Sequence, residues 1–149
     1  MLSIRKMQKN DIRILFDIAL RSFQQDYEKY GVYPPLIRTK QKKFLPPRIF
    51  GKTILDDGAI IGGAFVVAFF NKGEIGAIFL DTNQQKKGYG KQAMLMIEKM
   101  YPKVKRWKLD TPAESYRLHQ FYESLGYTKC GEKEDAGSGI RGFIYEKTV

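Results

Sequence analysis

Cysteine and histidine are almost missing from this chain, with one of each among 149 residues. Cys130 has no partner within the chain for a disulfide, which fits a reducing compartment. One Cys and one His cannot assemble a zinc site, and Cys130 has no flanking His to activate it, so neither a metal nor a covalent mechanism is implied. Long apolar runs are missing too. The longest uncharged stretch, Ala59 to Phe70, is too short to span a bilayer. The opening "MLSIRKMQKNDIR" carries no apolar signal-peptide core. The simplest expectation is a cytoplasmic protein with no membrane partner. Internal repeats, linkers and low-complexity tracts are absent, so residues 1–149 read as one domain.

Acidic residues are the minority, 16 against 26 basic ones, which leaves a formal charge of +10. That balance admits nucleic acid, an anionic surface, a polyanionic small ligand, or plain solubility. Lysines such as Lys40, Lys42, Lys43, Lys103, Lys105 and Lys108 are spread over several segments. No RNP-like sequence, helix-turn-helix spacing or single basic stripe accompanies them, and a solvated basic surface accounts for most.

What is present is regular periodicity. Leu2 to Arg5 alternates as a short strand. Asn10 is the expected N-cap of a helix with apolar Ile12, Leu15, Phe16, Ala19 and Phe23. The segment to Phe50 differs in kind: Tyr27, Tyr30, Tyr33, Phe44 and Phe50 lie among Pro34-Pro35 and Pro46-Pro47, reading as a short helix and an irregular loop. Strands are then expected at Thr53 to Asp56 and Ile60 to Phe70 around an Asp56-Asp57-Gly58 turn, and at Glu74 to Leu80 after a turn at Asn71-Lys72-Gly73. A helix from about Tyr89 to Met100 ends at Pro102. Val104 to Asp110 fits a strand, and Glu114 to Leu125 a helix closed by Gly126. Strands at about Tyr127 to Glu132 and Ile140 to Lys147 complete a mixed α/β order, β-α-α-β-β-β-α-β-α-β-β.

The junction "DTNQQKKGYGKQAM", Asp81 to Met94, stands out. A strand passing through a glycine turn into a helix leaves several backbone N–H groups unpaired at the positive end of the helix dipole, where they bind phosphate oxygens. Glycine permits positive φ and lets a bulky anion approach the backbone. Neither the P-loop pattern nor the dinucleotide-binding pattern is present. Gln85-Lys86-Lys87-Gly88-Tyr89-Gly90 instead resembles Q/R-x-x-G-x-G/A, the pyrophosphate-binding motif of the GNAT superfamily of acyl-CoA-dependent N-acyltransferases. About thirty residues on, "ESYRLHQFYESLGY", Glu114 to Tyr127, is similar to that superfamily's second signature, a helix ending in F/L-Y-E-x-L-G-F/Y. Element order and length match along essentially the whole chain.

The resemblance implies a mostly antiparallel sheet of six or seven strands, splayed at the cofactor site and flanked by about four helices. It implies an enzyme that moves the acetyl group of acetyl-CoA directly to a primary amine in a ternary complex. Backbone N–H groups of Gln85, Lys86, Lys87, Gly88, Tyr89, Gly90 and Lys91 would hold the pyrophosphate. Phe79 and Leu80 would supply main-chain groups to the pantetheine arm, with the Leu80 N–H polarising the thioester carbonyl. Tyr122 is the candidate general acid for the departing thiolate, a phenol suited to that role. At about 100° per residue, Ser115, His119 and Tyr122 share an arc of roughly 60°. Ser115 stands where many members carry a pantetheine-contacting asparagine. His119 reads as an ordinary helix-surface histidine with a role as base still open. Glu74, eleven residues before Gln85, matches the general base of the histone-acetylating branch. Many members use ordered water instead, so a dedicated base is left open.

Two other classes stay in view: a basic nucleic-acid-binding module, and a CoA-binding regulator without turnover. The acceptor, small molecule or protein, is not readable, nor is the choice between monomer and homodimer. Phe23 to Phe50 is the segment that shapes the acceptor pocket in this superfamily. There Asp26 and Glu28 are outnumbered by Lys29, Arg38, Lys40, Lys42, Lys43 and Arg48, which argues against polycationic acceptors.

Overall fold

A computed structural model describes residues 1–24, 28, 48–85, 87–134 and 141–149. The strands are β1 (Leu2–Lys6), β2 (Gly51–Asp56), β3 (Ala59–Phe69), β4 (Lys72–Leu80), β5 (Arg106–Pro112), β6 (Thr128–Glu134) and β7 (Arg141–Thr148). They form one sheet in the order β1-β2-β3-β4-β5-β7-β6. The pairings β1–β2, β2–β3, β5–β7 and β6–β7 are antiparallel and β4–β5 is parallel, as expected for a mostly antiparallel mixed fold. Three α-helices occur among the described residues, α1 (Ile12–Ser22), α2 (Tyr89–Met100) and α3 (Tyr116–Ser124), against the four or so expected. Most of the segment where a second early helix was expected lies outside the described residues. The chain divides into two compact units: Met1–Val66 with Ala77–Met100, and Val67–Gly76 with Tyr101–Val149.

In the first unit, β1 pairs with β2 from Leu2↔Asp56 to Lys6↔Lys52. The β2–β3 turn has positive φ at both Asp57 and Gly58, the geometry that matches the twist of a tight hairpin. Helix α1 buries Leu15, Ile18 and Ala19, spaced to share one face, against Met7, Phe65 and Phe79. A second cluster joins Ala93 of α2 to Ile54, Ile61 and Leu80. Asn10 does not cap α1. A short 3-10 turn, Lys9–Asp11, precedes the helix, and the Asp11 carboxylate accepts the Gln8 N–H at 2.8 Å. Asp11 prevails because it is buried and already fixed by Arg5, whose two terminal nitrogens donate to it at 2.6 and 3.1 Å, and by the Thr53 hydroxyl at 2.9 Å.

In the second unit, β5 pairs with β7 over seven residues, and β6 covers the outer edge of β7. The turn expected at Asn71-Lys72-Gly73 falls one residue earlier, at Phe70-Asn71, with φ +56 at Phe70. Gly73 is unavailable for it. It lies in β4 beneath the Trp107 indole, where a Cβ would come within 2.6 Å of the ring. The left-handed conformation therefore falls on a bulky aromatic residue, a strain of order 1–2 kcal/mol.

Asp11 gives a pH signature. The Arg5 hydrogen bonds, helped by Gln8 and Thr53 against the cost of burial, hold its carboxyl down at about 2. Its contribution is complete above the ordinary value of 3.8 and is lost as pH falls through about 2. A shift of that size corresponds to about 2 kcal/mol. Asp11→Asn is expected to lose about that much stability at neutral pH and to flatten the acid limb below about pH 4, as read by urea denaturation across pH.

Candidate active site

The end of β4 and the turn into α2 belong to the first unit. Asp81 fixes their geometry. Its N–H donates to Ile61 O on β3 at 2.8 Å, and its carboxylate accepts Arg21 of α1 through Nε at 3.1 Å and a terminal nitrogen at 2.8 Å. The same carboxylate accepts Thr82 N–H, and the Asp81 carbonyl accepts Gln84 N–H, closing a 3-10 turn over Thr82–Gln84. Arg21 beside it holds the Asp81 carboxyl below the usual range.

On a strand, successive residues turn their N–H and C=O to opposite sides. Since Asp81 faces β3, Phe79 does too, and the Phe79 carbonyl lies so close to Gly62 that a Cβ there would stand 2.2 Å away. Leu80 must then present its main chain away from β3. Its carbonyl accepts the Gln85 side-chain Nε2 at 3.3 Å. Gln85 thus occupies the acceptor of Leu80 and leaves the donor. The parallel β4–β5 ladder spans three pairs, ending at Glu74↔Lys108, while β4 runs on to Leu80.

Gly88 has φ +78, and a Cβ built on it meets no atom within 4 Å. Its conformation and its open surroundings are those of a turn that something bulky can approach. Helix α2 begins at Tyr89, and the Gln92 N–H to Gly88 O bond is its first. The N–H groups of Tyr89, Gly90 and Lys91 precede that bond and have no acceptor inside the helix. Tyr89 packs against the Ile54 cluster, and its hydroxyl donates to Asp56 at 2.9 Å, anchoring the first turn to the β2–β3 hairpin. Lys87 is exposed, with its ammonium on Gln84 Oε1 at 3.3 Å, and Lys91 is exposed in the first helical turn. Lys86 lies outside the described residues.

The second unit holds the remaining candidates, Glu74, Ser115 and Tyr122. Glu74 is exposed at the last β4–β5 pair. Ser115 is the residue before α3; its carbonyl accepts His119 N–H, and its side chain makes no capping bond. His119 is not a surface residue. It is buried, donates Nε2–H to Pro112 O at 2.9 Å, and stacks on Phe143 at 4.9 Å. That bond leaves only Nδ1 free to accept a proton. Tyr122 is buried beside Phe121 and Tyr127, and burial pushes its phenol up to about 12. Among the described residues its hydroxyl has no hydrogen-bond partner. Of the apolar residues beside that arc, Leu125 is buried while Leu118 and Phe121 are half-buried, and the buried residues of the helix itself are His119 and Tyr122. Gly126, φ +97, closes α3 as expected.

Residues 12–127 match the acetyltransferase (GNAT) family model. The chain belongs to the GNAT family. Acetyl-CoA is the acyl donor of that family, and the chain is an acetyltransferase by that membership. Solved structures agree on the fold. The PaiA N-acetyltransferase of Thermoplasma acidophilum, in complex with coenzyme A, is 22% identical with a TM-score of 0.78, covering 100% of this chain and 99% of its own. The ribosomal-protein-S18-alanine N-acetyltransferase of Escherichia coli is 14% identical with a TM-score of 0.73, covering 100% and 94%. A GNAT acetyltransferase of Elizabethkingia anophelis with acetyl-CoA bound is 14% identical with a TM-score of 0.71, covering 99% and 98%. No curated protein sequence matches at a significant level.

Asp81, Arg21 and Gly62 shape the site of this GNAT chain and were not singled out from sequence. For Gly62 a signal existed: two adjacent glycines inside a strand mark a close backbone approach. For Arg21 with Asp81, 60 residues apart, none did. Gly62→Ala must displace the Phe79 carbonyl, and about 3 kcal/mol of destabilisation is expected. Gly131→Ala in β6, where a Cβ would meet Ile144 at 3.5 Å, is expected to stay within about 0.5 kcal/mol. Urea midpoints of the two variants check the contrast.

Proposed function

We propose that the whole chain works as one N-acetyltransferase domain, moving the acetyl group of acetyl-CoA to a primary amine of a small molecule or protein by direct attack in a ternary complex. The observation that carries this reading is the main-chain arrangement from Leu80 to Lys91. One strand N–H is turned away from β3 with its own carbonyl capped, and a positive-φ glycine opens a helix N-terminus among exposed lysines.

That arrangement fits the donor. The amides of Gly88 through Lys91 would hold a diphosphate, with Lys87 and Lys91 adding charge and Gly88 admitting it close to the backbone. Coenzyme A supplies the activated acyl group as a thioester. Leu80 N–H would hydrogen-bond the thioester oxygen, where negative charge gathers during attack. Phe79 has its polar groups turned to β3, so it serves this edge through its packed ring. Tyr122 would hold the proton that the departing sulfur takes up; the upward shift of its phenol keeps it protonated throughout the neutral range. Ser115 offers a hydroxyl to the donor arm, and Glu74 an exposed carboxylate able to take the amine proton directly or through water. An exposed, unpaired Cys130 suits a cytoplasmic setting. The segment that would shape the acceptor pocket, Phe23 to Phe50, lies largely outside the described residues.

A panel of amines with acetyl-CoA, read by thiol release and product mass, tests the reading. Failure of the protein to bind coenzyme A in calorimetry would sink it. Gly88→Ala places a Cβ at a strained φ, and a KM for acetyl-CoA raised by about tenfold with little change in kcat is expected. Tyr122→Phe is expected to lower kcat by about a hundredfold while coenzyme A binds as before. A Tyr122→Phe enzyme with unchanged kcat removes the acid assignment and leaves the donor site standing.

A further inference from the structure

The β3–β4 hairpin carries features that acetyl transfer does not use. Phe69 and Phe70, at its tip, are 71% and 80% exposed, and their rings pack edge-to-face at 4.4 Å. Val67, on the same side of β3 as Phe69, is exposed as well. Phe70 sits at φ +56, where a glycine would be relaxed and a phenylalanine is not. A strained conformation spent on displaying an aromatic ring to solvent points to a role for the ring.

Cations surround this tip. Lys72 follows the turn directly, and the N–H groups of Lys105 and Arg106 bind the Asn71 carbonyl at 2.7 and 3.1 Å, which fixes that segment beside it. Lys103 is exposed two residues earlier. Among the described residues none of these four has a carboxylate partner. The acidic residue of the hairpin, Glu74, is registered opposite Lys108.

We propose that the Phe69–Phe70 tip and its collar of Lys72, Lys103, Lys105 and Arg106 form a peripheral docking surface for an anionic lipid bilayer. The two rings would enter the headgroup boundary, and the cations would engage acidic headgroups. The physical case rests on the order of the groups, apolar outermost and basic beside it, and on charge complementarity. A second copy of the chain would bring like charges together. Successive bases of a single-stranded nucleic acid stack on a run of roughly parallel ring faces, and here the two rings stand edge to face at 63° and present no such parallel pair. Docking is peripheral, since no helix among the described residues is long and apolar enough to cross a membrane. This differs from the expectation of no membrane partner, which rested on the lack of a spanning segment.

The test is co-sedimentation of the full chain with vesicles of phosphatidylcholine containing about one third phosphatidylserine, against pure phosphatidylcholine. Phe70→Gly relieves the turn, so it should raise the melting temperature while lowering vesicle affinity by about tenfold. Phe69→Ser and the pair Lys103→Glu/Lys105→Glu should weaken binding similarly, with acetyl-CoA turnover intact in solution. No sedimentation with the anionic vesicles overturns the proposal, as does equal binding to neutral ones. Stronger binding to single-stranded RNA, or a dimer that Phe70→Gly dissolves, overturns it too. None of these results bears on whether coenzyme A binds.

Discussion

Every polar atom of Asp81 is committed, and the candidate donor site depends on it. Its N–H and carbonyl hold β3 and the 3-10 turn, and its carboxylate holds Arg21 and Thr82. A one-residue slip of this pairing with β3 would reverse the facing of Leu80, because main-chain groups alternate sides. Arg21 lies at the end of α1, so the packing of Leu15, Ile18 and Ala19 against Phe79 sets the position of the guanidinium. Core burial and site geometry are thus one constraint. The apolar contacts place α1, α1 places Arg21, and Arg21 pins the residue next to the candidate amide donor. The bidentate geometry matters here, since a forked pair fixes direction as well as distance.

How much of this could be read in advance follows physical range. The β2–β3 turn, the start of α2, Gly88 and the Gly126 stop were legible because each is a local backbone demand that few residue types meet. Misreadings came where a distant partner decided the outcome. Asn10 is a good cap by type, but Asp11 had Arg5 and Thr53 waiting for it. The sequence Asn71-Lys72-Gly73 is a good turn, but Trp107 claims the face of Gly73. His119 looked like a surface residue because helical periodicity cannot show that Phe143 and Pro112 close over it. A motif reports what the backbone must do locally, and it is silent on which side chain from elsewhere arrives first.

The basic excess is also only partly a sequence property. Arg5 and Arg21 are spent on Asp11 and Asp81. Lys133 pairs with Asp110, and Lys129 with Glu132. Among the described residues, exposed cations gather beside the phosphate-type turn, at Lys87 and Lys91, and beside the β3–β4 tip, at Lys72, Lys103, Lys105 and Arg106. A net charge of +10 therefore says less than where its carboxylate partners are missing.

Within the second unit, the two candidate proton carriers have opposite environments, and the opposition matches their proposed tasks. A general acid must keep its proton until the leaving group forms, and burial does this for Tyr122 by penalising the phenolate. The same low-dielectric surroundings would penalise a free thiolate, which makes proton delivery worth more there than in water. A base has the reverse requirement: after each turnover it must release a proton, and an exposed carboxylate such as Glu74 can do so directly to solvent. Exchanging the two environments would disable both roles. A solvated phenol would lose the shift that guards its proton. A buried, unpaired carboxylate would hold its own proton and stop accepting others.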